Sequence, residues 1–158
     1  ERIDYRGFLY FGLMKVADEP YVIEYNVRMG DPEAQVVIPR MKSDLLEALD
    51  AVAHQRLDSY QLEVTDHAAA TVILASKGYP GKYEKGKAIR LPESTGNIQI
   101  FHAGTKQEDN KLVTAGGRVM AVSAQADDFQ AALSSIYKTI DAIDFDGKYY
   151  RKDIGYDL

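Results

Sequence analysis

Hydrophobic and polar positions fall in blocks along this chain, and the period of each block predicts an element. Residues 5–14, YRGFLYFGLM, are aromatic and aliphatic and predict a buried strand. Asp18, Glu19 and Pro20 predict a turn, and residues 21–27, YVIEYNV, the returning strand of a hairpin. A loop through Gly30, Asp31 and Pro32 follows. Ser43 then reads as an N-cap, with Asp44 in the first turn, where the helix dipole favours negative charge. Leu45, Leu46, Leu49, Val52 and Ala53 form the apolar stripe of that helix, which should end near Leu57.

The second half repeats the logic with longer apolar runs. Residues 69–76, AATVILAS, predict a buried strand, and 97–102, NIQIFH, alternate like another. Residues 111–115 and 117–125 are expected to pair as a hairpin across Gly116 and Gly117, because glycine tolerates positive φ. Asp127 is expected to cap a helix whose core face is Phe129, Leu133, Ile136, Tyr137, Ile140 and Ile143. The tail from Asp144 onward is polar and aromatic, with Tyr149, Tyr150 and Tyr156 expected to pack it over the surface. The order is strand, strand, helix, strand, three strands, helix. That predicts an α+β fold with mainly antiparallel sheet, and a weak boundary near residues 58–68.

Composition narrows the class. The chain has 158 residues, 46% apolar and 27% charged, which excludes disorder as its main state. Nineteen basic against 24 acidic side chains give 19 − 24 = −5, which argues against generic binding to nucleic acid or anionic membrane. No apolar run approaches the ~20 residues of a membrane span. The absence of cysteine excludes disulfides, thiolate zinc sites and cysteine nucleophiles. A cytoplasmic setting is the expectation. The chain opens at Glu1 without an initiator Met, as a piece of something longer would.

Candidate chemistry concentrates in residues 24–35, EYNVRMGDPEAQ. Strand alternation sets Tyr21, Ile23, Tyr25 and Val27 on one face and Val22, Glu24, Asn26 and Arg28 on the other. Glu24 offers a carboxylate and Asn26 an amide oxygen, hard donors suited to Mg²⁺, which takes its remaining ligands from water and phosphate. Arg28 could meet a phosphate or carboxylate bidentately. Asp31 and Glu33 add two acids in the following turn. An acid, an amide and a guanidinium on alternate strand positions are also what a plain solvated face shows, so the pattern alone leaves both readings open. Residues 76–87, SKGYPGKYEKGK, carry three glycines, a proline and four lysines. They lack the G-x-x-x-x-G-K-[ST] pattern and read either as a solvated basic loop or as a phosphate-binding one. His54, His67 and His102 are scattered, with no metal-ligand spacing.

Arg28–Gln35, RMGDPEAQ, match in full the R-x-G-D-P-E-x-Q signature of the glycinamide ribonucleotide synthetase (phosphoribosylamine–glycine ligase) family of the ATP-grasp superfamily. GFLYFGLM at 7–14, RMKSDLLEAL at 40–49, ASKGYPGKYEKG at 75–86, IFHAGT at 100–105 and TAGGRVMAVSA at 114–124 resemble the same family, in order. The resemblance implies the end of an ATP-grasp domain over 1–66 and a small α+β C-terminal domain over 67–158. It implies Glu24 and Asn26 as ligands of Mg²⁺ or Mn²⁺, Arg28 as the catalytic arginine, and Asp31 and Glu33 as substrate-binding residues. Many ATP-grasp enzymes carry a further acidic ligand twelve residues before the Glu; here that position is Gly12, and no metal role is assigned to it. The implied reaction joins glycine to 5-phosphoribosylamine at the expense of ATP, in purine biosynthesis. The resemblance also implies an N-terminal domain and an ATP lid beyond this chain, so these 158 residues alone are expected to be inactive. Another ATP-grasp carboxylate–amine ligase, or a binding module reusing the C-terminal fold, are the alternatives.

Overall fold

A computed structural model describes residues 3–156. The chain divides into two compact units, Glu1–Thr65 and Asp66–Leu158. Both mix helix with antiparallel strands.

Unit 1 opens with a hairpin of β1 (Tyr10–Val16) and β2 (Glu19–Asn26). β1 begins later than the apolar run predicts. The turn is the two-residue pair Ala17–Asp18, both at positive φ, so Glu19 and Pro20 belong to β2 rather than to the turn. Such a turn matches the twist of a hairpin, and the Lys15–Asp18 ion pair of 2.5 Å spans it. A bulge interrupts the ladder. Gly12 pairs with Glu24 and Leu13 with Val22, which leaves Ile23 unpaired. The alternation expected along β2 is therefore broken at Ile23, and Val22 does not continue the Glu24–Asn26 run. The strand is not buried either: Phe11, Leu13, Tyr21, Ile23 and Tyr25 are each about half exposed or more within this unit.

After β2 the chain forms α1 (Ala34–Val37) and a 3₁₀ turn at Ile38–Arg40, neither evident from the sequence pattern. α2 spans Leu45–Ala53, shorter than predicted, with a separate 3₁₀ turn at Leu57–Ser59. Its N-cap is Asp44, whose carboxylate accepts from the amides of Leu46 and Glu47 at 2.7 and 3.2 Å. Ser43 does not cap. Its hydroxyl accepts from the Glu63 amide at 2.5 Å and so ties the helix start to the segment before Thr65.

Unit 2 is a four-stranded antiparallel sheet in the order β4-β7-β3-β8, where β3 is Ala68–Ser76, β4 Gln99–His102, β7 Arg118–Ala126 and β8 Lys148–Tyr149. α3 (Phe129–Ala142) packs across β3 and β7. Val72, Leu74, Val119, Met120, Val122, Ile136, Ile140 and Ile143 are fully buried between them. Each such side chain contributes roughly 1.5–3 kcal/mol of transfer free energy. The polar atoms inside are satisfied, as the Ser123 hydroxyl donates to Thr71 Oγ1 at 2.8 Å across the β3–β7 ladder.

Three expectations for this unit need correction. The N-cap of α3 is Asp128, accepting from the Ala131 amide at 2.7 Å, and the core face includes Ala132 while Phe129 is 41% exposed. The segment 111–114 does not pair with 118–126. β6 (Lys111–Thr114) pairs instead with β5 (Thr105–Glu108) across Asp109–Asn110, both at positive φ. Gly116 and Gly117 form no hairpin turn. Gly116 crosses Gly104 so closely that a side chain on Gly104 would stand 2.6 Å from the Gly116 Cα. The tail, finally, is more than a surface wrap. Phe145 is buried, β8 extends the sheet, and the Lys148 ammonium donates to the carbonyls of Ile140 and Ile143 at the C-terminus of α3, where the dipole favours a cation. Tyr150 packs on Tyr137 at 6.2 Å, but Tyr149 and Tyr156 are largely exposed.

Candidate functional site

The site is built on the end of β2 and the turn after it. Glu24 stands opposite Gly12 and Asn26 opposite Tyr10. Gly12 makes room for Glu24, since a Cβ there would lie 2.8 Å from Glu24 Cγ. Glu24 and Asn26 are two residues apart downstream of the bulge, so about 6.5–7 Å separates their Cα atoms along one face. Among the described residues neither side chain makes a hydrogen bond or ion pair. Arg28 lies beyond the end of β2, not on its ladder, and its guanidinium donates to the Met29 carbonyl at 3.0 Å.

The signature turn folds back on this strand. Gly30 is buried, and its carbonyl accepts from the Ala34 amide at 3.1 Å to start α1. Glu33 precedes α1 without capping it. Its carboxylate lies over Gly30, where any Cβ would fall 1.9 Å from Oε2, and it accepts from the Tyr10 hydroxyl at 3.3 Å. Asp31 is held by the Gln35 amide at 3.0 Å.

Tyr10 is the residue that the sequence pattern did not single out. The negative charge of Glu33 is the main cause holding its hydroxyl above the usual tyrosine range. Partial burial, the hydrogen bond and Glu24 add to this, and Arg28 opposes it. One phenol therefore senses three of the five expected site residues. Its part follows from the register, which sets Tyr10 opposite Asn26 and Gly12 opposite Glu24.

Among the described residues no group of three or more His, Cys, Asp or Glu side chains is placed to hold a metal. His102 Nδ1 lies 3.1 Å from Thr105 Oγ1, His54 pairs with Asp50 and His67 with Asp127. No helix among these residues is long and apolar enough to cross a membrane.

Comparison with known proteins gives the class first. The crystal structure described as the biotin carboxylase domain of a 2-oxoglutarate carboxylase from Hydrogenobacter thermophilus, with MgADP, ADP and bicarbonate, matches over 89% of this chain and 34% of its own. The TM-score is 0.61 at 14% identity, so the likeness is one of fold. The fold is that of the ATP-grasp enzymes, and the description "Phosphoribosylglycinamide synthetase, ATP-grasp (A) domain" matches residues 1–34. "Phosphoribosylglycinamide synthetase, C domain" matches residues 69–157, and the chain belongs to this family.

A phosphoribosylamine–glycine ligase from Chlorobaculum tepidum is 48% identical over 154 residues, 96% of this chain and 36% of the relative. The trifunctional purine biosynthetic protein adenosine-3 of Gallus gallus is 48% identical over 99% of this chain and 16% of its own length. The crystal structure of phosphoribosylamine–glycine ligase from Thermotoga maritima superposes with a TM-score of 0.78 at 39% identity, over 94% of this chain and 37% of that one. The chain thus spans about a third of the single-function relatives it matches.

Proposed function

We propose that this chain acts as part of a longer ATP-dependent carbon–nitrogen ligase that joins glycine to 5-phosphoribosylamine in purine biosynthesis. The products are glycinamide ribonucleotide, ADP and phosphate. One observation carries the reading: in a member of this family, Glu24 and Asn26 sit on one strand face with unengaged oxygens, beside a signature turn that is folded back on the same strand. Residues 1–66 are read as the end of the ATP-grasp domain and 67–158 as the C-terminal domain. A cytoplasmic setting belongs to the same reading.

ATP phosphorylates the glycine carboxylate to an acyl phosphate, and the amine of phosphoribosylamine displaces the phosphate. Phosphoryl transfer requires alignment and charge neutralisation more than covalent help from the protein. Glu24 and Asn26 would hold Mg²⁺ or Mn²⁺, and the donor set fits. One carboxylate and one amide oxygen are too few for a protein cage but suit an ion that keeps waters and takes substrate phosphates. Bound there, the ion supplies charge neutralisation at the transferring phosphoryl group. Arg28 orients the reacting carboxylate or phosphate. Asp31 and Glu33 shape the substrate side of the turn, held by Gln35 and Tyr10.

The test is ADP release by the longer protein that contains this chain. Release should require both glycine and 5-phosphoribosylamine, and the 158-residue chain alone should release none. Equal release with a different carboxylate or amine would favour another ATP-grasp ligase. No nucleotide turnover by the intact protein would favour a binding module.

A further inference from the structure

The backbone gives Gly12 no reason to be glycine. Its φ lies outside the left-handed region that favours glycine, and it stands inside β1 rather than at a turn. A glycine in such a position weakens a strand, because it gives up side-chain packing and chain entropy. The neighbouring bulge does not demand one either. Its extra residue, Ile23, belongs to β2, and Gly12 is on the partner strand.

What Gly12 admits is the side chain across the ladder. Directly opposed residues of an antiparallel pair share one face, with Cβ atoms about 4.5–5.5 Å apart. Gly12–Glu24 and Tyr10–Asn26 are two such pairs, on the face of the expected metal ligands. Phe11 and Tyr25 form the pair between them, on the other face, and their rings pack edge to face at 5.2 Å, which pins this register. Opposite the missing side chain, Glu24 leans over β1. A Cβ on Gly12 would stand 2.8 Å from Glu24 Cγ, 3.7 Å from Cδ and 3.6 Å from Oε1. The conflict falls on the middle of the side chain, so turning the carboxylate alone does not relieve it. Rotation about the Cα–Cβ bond must change, and the carboxylate moves with it. Among the described residues no hydrogen bond holds this carboxylate, whereas Tyr10 holds that of Glu33. The space at Gly12 is what permits the conformation that Glu24 adopts.

We propose that Gly12 is a positioning residue for Glu24. The absence of a side chain at Gly12 sets the direction of the Glu24 carboxylate on the face it shares with Asn26, and with it the affinity for the divalent ion. The inference rests on the ligase reading for the ion itself. It adds to that reading a residue of the partner strand that bears no donor atom.

The test reads binding rather than turnover. Affinity for ADP is measured by calorimetry in the longer protein that contains this chain, once with Mn²⁺ and once with all metal chelated. The ratio of the two affinities is the contribution of the ion. Gly12→Ala should lower that ratio roughly tenfold, the order of loss found when the surroundings of a metal ligand are altered, and leave the metal-free affinity unchanged. Gly12→Val should lower it at least as far. Valine is favoured in strands, so that variant separates the effect from strand stability. A ratio unchanged in both variants, where Glu24→Ala lowers it, would overturn the inference and leave the metal reading standing. Loss of metal-free affinity in step with the ratio would make the role of Gly12 structural and overturn the inference as well. A ratio unchanged in Glu24→Ala would overturn the metal reading, and the inference with it.

Discussion

Tyr10 and Glu33 show how much of the candidate site depends on one contact between a strand and the turn that follows its partner. Their hydrogen bond is partly exposed, so replacing Tyr10 by Phe should change urea unfolding little. The sharper readout is ionisation. In the native chain Tyr10 should titrate above the usual tyrosine range, and Glu33→Gln should bring it back down, followed by NMR of the phenol ring carbon. An unchanged Tyr10 titration in that variant would remove the contact. A second titration tests unit 2. The Arg90 guanidinium, hydrogen-bonded to the Asp144 carboxyl, holds it below its usual range; burial opposes this, and the charges of Arg90 and Lys148 add to the lowering. A depressed folded-state value means that the pair stabilises the fold above the unfolded-state value, near 3.9, and is lost as pH falls through the folded one. Acid unfolding monitored by circular dichroism should therefore shift to higher pH in Arg90→Ala. At this scale the sequence was most legible where a residue's chemistry is its own, as with the oxygens of Glu24 and Asn26. Tyr10 was hidden because its part comes from register, which the bulge at Ile23 also alters.

Among the elements, caps and glycines decide what the sequence pattern left open. Both principal helices were legible from their apolar period, yet each cap lies one residue beyond the expected one. Ser43–Asp44 and Asp127–Asp128 are adjacent cap-capable pairs, and only the backbone conformation selects between their members. Asp128→Ala should cost about 1 kcal/mol in urea unfolding and Asp127→Ala far less. Equal costs would mean that the helix start is shared. Gly116–Gly117 looks like a hairpin turn by local chemistry, but long-range contacts claim both residues: Gly116 crosses Gly104 and Gly117 carries Tyr79. Gly117→Ala should accordingly displace the Tyr79 ring and shift the amides of the 76–87 loop while leaving α3 in place. The true turn, Asp109–Asn110, is the weaker local signal.

For the whole molecule, the distribution of buried surface separates the two units. Nearly all fully buried apolar side chains among the described residues belong to unit 2, and unit 1 contributes Ala51. Unit 1 instead exposes much of its hairpin, including Ile23 at 62% and Tyr25 at 64%. Amide hydrogen exchange should therefore show strong protection in β3, β7 and α3 and weak protection in β1 and β2. Comparable protection in both would contradict this division. The α+β class was legible because periodicity reports local burial. The exposed hairpin was read as buried for the same reason, since an apolar run predicts coverage without saying which part of the protein supplies it.

The central claim is that Glu24, with Asn26, holds the divalent ion of an ATP-dependent ligase. The measurement is the initial rate of glycine- and phosphoribosylamine-dependent ADP release as a function of Mg²⁺ concentration, in the longer protein with and without Glu24→Ala. Glu24 is exposed and unpaired among the described residues, so the substitution should leave the fold intact. The account predicts a strongly lowered turnover and a rise in the Mg²⁺ needed for half-maximal rate; an unchanged rate with an unchanged Mg²⁺ requirement would contradict it.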